Sequence, residues 1–206
     1  MYLYIYQTEY KITNYLNFLA HLYLSHTSDE LMFGNYIADG VRGKLDGRFP
    51  EKVIEGIRMH RAIDDFTDTH PVFKQSCMRL YEKYDKYAWV IVDIFYDHFL
   101  AANWNEFHPQ PLQVFSAETY LMLEKNLDLM PEKSKRFFQY MTEYDLLFNY
   151  SETEGIERVL AGMARRARFQ SNMEKATADL INDYSDYEKD FRLFFPELEK
   201  FTATNF

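Results

Sequence analysis

The chain has 206 residues, 47% of them apolar and 18% aromatic, which is enough to build one domain with a substantial core. With only 7 glycines and 6 prolines an all-β fold is disfavoured, while a single cysteine excludes an intramolecular disulfide and suits the reducing cytoplasm. The net charge of −9 disfavours a protein whose main task is binding nucleic acid, and no apolar run approaches the ~20 residues of a membrane span.

Helical periodicity dominates the chain after its first residues. Residues 16–25, LNFLAHLYLS, form an apolar run that predicts a first helix. Residues 28–43, SDELMFGNYIADGVRG, predict a second one, with Ser28 as its N-cap and with Gly40 and Gly43 breaking the pattern.

Two prolines predict the next helix starts, because proline is favoured in the first turn. Pro50 precedes the apolar positions of a helix through residue 66, and Pro71 opens the one that follows. Residues 87–104, YAWVIVDIFYDHFLAANW, are apolar nearly all round and predict a buried central helix, which we expect to end at Pro109 and Pro111. Amphipathic helices are also predicted within residues 112–127, 131–144, 152–167 and 172–198.

The predicted fold class is therefore an all-α, single-domain helical bundle of residues 17–206. Residues 1–16 form an N-terminal extension in which YLYIY favours a strand or an irregular arm. The aromatic stripe near the C-terminus is expected to face the core of its own domain, and the sequence leaves the oligomeric state open.

The central helix carries two aspartates one turn apart, Asp93 and Asp97. Two ionised carboxylates among apolar neighbours would cost several kcal/mol each without a cation or good hydrogen-bond donors. Two explanations stay open: both carboxylates belong to a metal site, or they pair with Arg or Lys of another helix or cap backbone groups.

Residues 59–71, MHRAIDDFTDTHP, place His60, Asp64 and Asp68 at four-residue intervals on one broad helix face. The acids lie toward the C-terminal end of that helix, where the macrodipole disfavours negative charge. This placement favours a functional reason for them. For Asp68 the alternative is that it caps the helix that Pro71 opens.

His21 and Asp39 are less specific, because a lone histidine in an apolar helix is more often a core residue and Asp39 could simply end a helix. Imidazoles and carboxylates without a thiolate suit Mn²⁺, Mg²⁺ or Fe²⁺ better than structural zinc.

Basic residues cluster between Arg42 and Arg61, and again at Arg165, Arg166 and Arg168. They are either ordinary surface charge or a phosphate contact and a docking face for an acidic partner.

Five segments together resemble the acyl carrier protein phosphodiesterases, a divergent branch of the HD-type metal-dependent phosphohydrolases. In chain order they are NFLAHLYLS, GNYIADGVRG, GIRMHRAIDDFTDTHP, DIFYDHFLAANW and VLAGMARRAR. The resemblance implies an all-helical fold, Mn²⁺ as the favoured ion, and hydrolysis that removes 4′-phosphopantetheine from holo-acyl carrier protein. That reaction belongs to the lipid and fatty acid metabolism of the cytoplasm.

The resemblance also implies a site. It points to a metal and catalytic shell made of His21, Asp39, His60, Asp64, Asp68, Asp93 and Asp97. We expect His21, His60, Asp64 and Asp97 to hold the metal, and Asp39, Asp68 and Asp93 to act in catalysis as further ligands or by orienting water. Arg42 and Arg61 are candidates for steadying the phosphate or the leaving group. The arginines at 165, 166 and 168 are expected to dock the strongly acidic carrier protein. This chain departs from the HD pattern in one respect, since a helical turn separates His60 from Asp64.

Two other functions stay open. One keeps the metal site but assigns another small phosphoester as substrate. The other is a helical binding module without catalysis, in which the same residues form buried salt bridges. Arg or Lys partners for Asp93 and Asp97 would favour the binding module.

Overall fold

The structure is a computed structural model that describes residues 18–206; the predicted extension, with its strand or arm, lies outside the described residues. Within the described residues the chain forms twelve α-helices and no strand, so the predicted all-α class is confirmed. The first six helices are α1 (Phe18–Leu24), α2 (Asp29–Ile37), α3 (Glu51–Thr69), α4 (Pro71–Tyr84), α5 (Tyr87–Ala102) and α6 (Trp104–Phe107). The others are α7 (Leu112–Lys125), α8 (Glu132–Glu143), α9 (Leu146–Asn149), α10 (Thr153–Arg166), α11 (Ala176–Asn182) and α12 (Tyr184–Asn205). Short 3₁₀ turns occur at Ala38–Gly40, Leu127–Leu129 and Met173–Lys175.

The predicted helix starts are confirmed at α2, α3 and α4. The Ser28 side chain accepts a hydrogen bond from the Leu31 N–H (3.3 Å), which satisfies one of the amides that the first turn leaves without a partner. Pro50 directly precedes α3, and Pro71 is the first residue of α4.

The capping role considered for Asp68 is wrong. Asp68 lies inside α3, and the residue that caps α4 is His70, whose Nδ1 accepts from the Val72 N–H at 3.3 Å. The other ring nitrogen of His70 lies 3.2 Å from a carboxylate oxygen of Glu197. His70 therefore has a structural role, and the position of Asp68 needs another explanation.

Helices α2 and α3 cross at two glycines. A Cβ atom at Gly34 would lie 2.1 Å from the carbonyl oxygen of Val53, and a Cβ at Gly56 would lie 2.1 Å from that of Leu31. No larger residue fits there without separating the helices. The close approach brings the residue after Gly34 on α2 opposite the helical turn that follows Gly56 on α3.

Helix α5 is the centre of the core. It packs against α1, α4, α10 and α12, and thirteen of its sixteen residues are buried. The C-terminal aromatic residues that were expected to face the core do so, because Tyr187, Phe191, Phe194 and Phe195 are at most 2% exposed. Across residues 18–206, no helix is long and apolar enough to cross a membrane.

Two helix boundaries differ from the expectation. Helix α5 ends at Ala102, well before Pro109, since Asn103 leaves the helical conformation and its side-chain amide donates to the Phe99 carbonyl. The segment 172–198 is interrupted at Asp183, where the backbone departs from helical geometry between α11 and α12. Asn and Asp side chains compete with the helix backbone for hydrogen bonds, which favours breaks at such positions.

Candidate metal centre

Two buried imidazoles lie face to face where α1 meets the crossing of α2 and α3. His21 on α1 and His60 on α3 are 1% and 5% exposed, and their ring centroids are 4.1 Å apart with an interplanar angle of 24°. Almost all of α1 is buried, so His21 lies among apolar residues. The chemistry of the two rings depends on the few polar groups that contact them.

Two carboxylates approach the Nε2 atoms of these rings. Asp64 lies one turn after His60 on α3, and its two oxygens are 3.3 Å from His21 Nε2 and 3.4 Å from His60 Nε2. Asp39, in the 3₁₀ turn after α2, has an oxygen 3.3 Å from His60 Nε2. We call His21, His60, Asp39 and Asp64 the histidine cluster.

The opposite edges of both rings contact one side chain that the sequence did not single out. His21 Nδ1 lies 2.8 Å and His60 Nδ1 3.0 Å from the Oδ1 atom of Asn35, which is fully buried. The Asn35 amide nitrogen donates to the backbone carbonyl of His21 (3.0 Å). In sequence, Asn35 is only a neutral residue after Gly34, so no charge or metal-ligand spacing pointed to it.

Burial and charge act in opposite directions on the two imidazoles. Burial, together with the neighbouring His60, lowers the pKa of His21 below its ordinary value. Burial also opposes protonation of His60, but Asp64 and Asp39 outweigh it and raise the pKa of this ring. Of the two stacked rings, His60 therefore becomes an imidazolium cation more readily than His21.

These residues fit a divalent cation. One nitrogen of each ring and an oxygen of Asp64 all lie within 4.8 Å of one another. The Asp64 oxygens are 3.3 Å from His21 Nε2 and 3.4 Å from His60 Nε2, within the separation of about 4 Å at most that two ligands about 2 Å from one ion can have. His21 Nε2 is buried without a hydrogen-bond partner in the described part of the chain. Since the Asp64 side chain is 41% exposed, the cluster also has an opening to solvent. Imidazole nitrogen and carboxylate oxygen together suit Mn²⁺ or Fe²⁺.

Asp97, predicted as a metal ligand, makes different contacts. It is fully buried, and its two oxygens accept hydrogen bonds from the backbone amides of Leu19 (3.0 Å) and Ala20 (2.9 Å) in the first turn of α1. Burial raises its pKa to about 8, although both amides favour the ionised form. Asp97 thus caps the helix that carries His21, which is the backbone role left open from the sequence.

Asp93 and Asp68 lie beside the histidine cluster. Asp93 lines a small cavity with Asp97 and with Thr67, whose buried hydroxyl has no partner within residues 18–206. Burial, followed by the charges of Asp68, Asp64 and Asp97, raises the pKa of Asp93 well above its ordinary value. Asp68 is exposed on α3, and partial desolvation by its neighbours, with the charges of Asp64 and Asp65, raises the pKa of its carboxyl to about 6. Between residues 18 and 206, neither Asp93 nor Asp97 forms an ion pair with Arg or Lys, so the contacts expected of a binding module are not seen there.

The predicted basic residues are all exposed. Arg42 follows the 3₁₀ turn that carries Asp39, and Arg61 is next to His60; in the described chain neither guanidinium takes part in an ion pair. At the end of α10, Arg165 and Arg166 likewise form no ion pair with a described residue. The guanidinium groups of Arg166 and Arg168 lie over the rings of Tyr140 and Phe169, 5.4 Å from each centroid.

A helical fold with paired histidines facing carboxylates defines a candidate metal-dependent enzyme. Residues 16–198 match the family described as acyl carrier protein phosphodiesterase. Proteins named acyl carrier protein phosphodiesterase from Photorhabdus laumondii and Escherichia coli are 36% and 33% identical to this chain over 88% and 89% of its length. Those alignments cover 92% and 95% of the two relatives. A protein of the same name from Pectobacterium atrosepticum is 30% identical, and that alignment covers 92% of this chain and 98% of the length of the relative.

The chain belongs to the acyl carrier protein phosphodiesterase family. The resemblance inferred from the five sequence segments is thereby confirmed. No solved structure gives a significant match to the chain.

Proposed function

We propose that this protein hydrolyses the phosphodiester of holo-acyl carrier protein, releasing 4′-phosphopantetheine and leaving the apo-protein. Water adds to phosphorus, and the bond between phosphorus and the carrier protein's oxygen breaks. The observation that carries the proposal is a family match over most of the chain together with two buried Nε2 atoms that face carboxylates. The reaction is placed in the cytoplasm, in the turnover of the carrier used for fatty acid synthesis.

A divalent ion, with Mn²⁺ as the first choice, would neutralise the phosphodiester and lower the pKa of water at the site. His21, His60 and Asp64 are proposed to hold it, since their donor atoms lie close together, with Asp39 completing the cluster. Asp97 is proposed to act through α1, by fixing the first turn of the helix that carries His21.

The remaining acids are proposed to orient the attacking water and to take up its proton. Asp68, whose pKa is raised to about 6, is partly ionised just below neutrality, where a general base is most effective. Asp93 lies deeper, in the cavity beside Thr67. The charge of Asp64 acts on the pKa of both acids, which supports a role for them close to the proposed ion.

Arg42 and Arg61 are proposed to contact the phosphate or the leaving group. Both are exposed, both lie within three residues of a member of the histidine cluster, and neither forms an ion pair with a described residue. An anionic phosphodiester approaching four carboxylates needs positive charge at the entrance as well as at its centre.

The whole chain carries −9, and the resemblance implies an acidic carrier protein, so long-range attraction between the two is poor. A local basic surface is therefore required. Arg165, Arg166 and Arg168 are proposed to supply it, because all three are exposed and none forms an ion pair within residues 18–206.

The test is intact-mass analysis of holo-acyl carrier protein incubated with the purified protein. With Mn²⁺ the carrier should lose the mass of phosphopantetheine, and with a chelator it should not. Retention of the full mass with Mn²⁺, Mg²⁺ and Fe²⁺ alike would overturn the substrate assignment. Metal-dependent hydrolysis of a small synthetic phosphodiester in that case would point to another phosphoester, and inactivity on both would point to a binding module.

A further inference from the structure

We propose that Asn35 is a positioning residue that holds both imidazoles of the histidine cluster in the tautomer able to bind a cation. The inference rests on the proposed metal centre and goes beyond it, because Asn35 itself touches neither the ion nor the substrate. It follows from three hydrogen bonds that leave only one consistent arrangement of protons.

The first step fixes the orientation of the Asn35 amide. One end of the amide lies 3.0 Å from the backbone carbonyl of His21, and a carbonyl can only accept. That end must be the NH₂ group. The carbonyl oxygen of the amide therefore points the other way, toward the two rings.

Hydrogen bonds to the Asn35 oxygen fix the tautomers of both rings. Oδ1 of Asn35 lies 2.8 Å from His21 Nδ1 and 3.0 Å from His60 Nδ1. An amide oxygen has two lone pairs and no proton, so it accepts from both and each Nδ1 must carry the hydrogen. In a neutral ring the lone pair is then on Nε2, which is the atom that faces the carboxylates.

The neighbouring carboxylates make this support necessary. Without a metal ion, the negative charges of Asp64 and Asp39, 3.3–3.4 Å from the Nε2 atoms, favour the opposite tautomer, in which the proton lies on Nε2 beside them. That tautomer would satisfy the acids but remove both nitrogen ligands. Asn35 opposes it with a single oxygen shared by both rings, so the two rings are held in the ligand-ready form together.

The local fold makes this arrangement rigid. Asn35 is fully buried and directly follows Gly34, whose lack of a side chain lets α2 approach α3 closely enough to reach His60. A partner on the far side of a metal-binding histidine commonly changes metal affinity by about 10–100-fold when it is removed. We expect Asn35→Leu, which keeps the volume but removes both polar groups, to weaken Mn²⁺ binding by that factor.

The test reads the tautomers directly, with ¹⁵N-labelled histidine in the metal-free full-length protein at alkaline pH. In the wild type, the signals of His21 and His60 should both show a protonated Nδ1 and an unprotonated Nε2. In Asn35→Leu at least one ring should change to Nε2–H. Asn35→Asp keeps an oxygen acceptor for both N–H groups and loses only the NH₂ that donates to the His21 carbonyl, so it should retain the wild-type tautomers.

Asn126→Leu is the matched control, because Asn126 donates to the Met122 carbonyl and belongs to a turn outside the histidine cluster. It should change neither the signals nor Mn²⁺ binding. A wild-type ring protonated at Nε2 would overturn the inference, and so would an Asn35→Leu variant with unchanged tautomers. Correct tautomers in a protein that does not act on holo-acyl carrier protein would support the inference and overturn only the proposed function.

Discussion

Two buried polar clusters in this chain satisfy their carboxylates in different ways. Asp190, on α12, is 2% exposed and is surrounded by donors from α4: it pairs with Arg79, and it accepts from the hydroxyl of Ser76 (2.7 Å) and the amide of Gln75 (3.2 Å). In the histidine cluster the carboxylates of Asp64 and Asp39 face imidazole nitrogens at 3.3–3.4 Å.

The difference distinguishes a buried carboxylate that stabilises the fold from carboxylates that are proposed to serve the function of the protein. A buried carboxylate needs a compensating cation or several donors, and around Asp190 the fold itself provides them. In the histidine cluster the pKa of His21 is lowered and that of His60 is raised, so the two rings do not become cationic with equal ease. The proposed metal ion would supply further positive charge there, at some cost to the stability of the metal-free protein.

Asp64→Asn should produce the largest effect. It removes the negative charge of Asp64 and replaces one of the two oxygens that face His21 and His60, and loss of several kcal/mol of metal-dependent stabilisation corresponds to roughly 10³-fold in rate. We expect activity on holo-acyl carrier protein to fall by about that factor. Mn²⁺ should raise the melting temperature of the wild type and not that of the variant. Activity within tenfold of the wild type would remove Asp64 from the ligand set.

Asp190→Asn should have the opposite pattern. Breaking a buried ion pair costs about 3–5 kcal/mol, and because Arg79 is 27% exposed we expect a smaller loss, about 2 kcal/mol, in the free energy of unfolding. Mn²⁺ affinity and the activity of the folded fraction should stay unchanged. Denaturant unfolding with and without Mn²⁺ measures both quantities. A loss of Mn²⁺ binding equal to that of Asp64→Asn would abolish the distinction between the clusters.

The sequence predicted those parts of the site that follow from spacing within one helix. His60 and Asp64 are one turn apart on α3, so their common face could be derived from helical geometry alone. The helix starts were equally local, because Ser28 and Pro71 act on the turn beside them. The family too was predictable, since it rests on five short segments in order.

Contacts between helices could not be predicted in the same way. Asn35 reaches His60 only because two glycines allow α2 and α3 to cross closely, and the amide carries no charge that would attract notice. Asp97 is separated by 77 residues from the amide of Ala20 to which it binds. From sequence, a capping aspartate and a metal-binding aspartate on the same apolar helix are alike. The position of α1 shows that Asp97 caps this helix, while its predicted role as a metal ligand stays a prediction.

Asp97→Asn tests that distinction with a smaller expected effect. Asparagine keeps one acceptor for the first turn of α1 but presents an NH₂ group to the second amide, so we expect a loss of about 1 kcal/mol in stability. Mn²⁺ should still bind with the wild-type stoichiometry and with affinity reduced by tenfold at most. Calorimetric titration measures both. Complete loss of Mn²⁺ binding in a folded variant would return Asp97 to the metal ligands.

The smallest effect is expected on the basic surface at the end of α10. Exposed charges contribute about 0.2–1 kcal/mol each, so reversing two of them in Arg165→Glu/Arg166→Glu should raise KM for holo-acyl carrier protein by about tenfold at low salt. Salt screens such interactions, so the difference from the wild type should shrink as ionic strength rises, with kcat unchanged.

Arg158→Glu is the control, because Arg158 lies two turns earlier on α10 and donates to Asn149. Equal KM values for the double variant and the wild type at every salt concentration would exclude this surface from docking, whereas an equal change in Arg158→Glu would show that net charge alone, rather than this surface, governs the encounter.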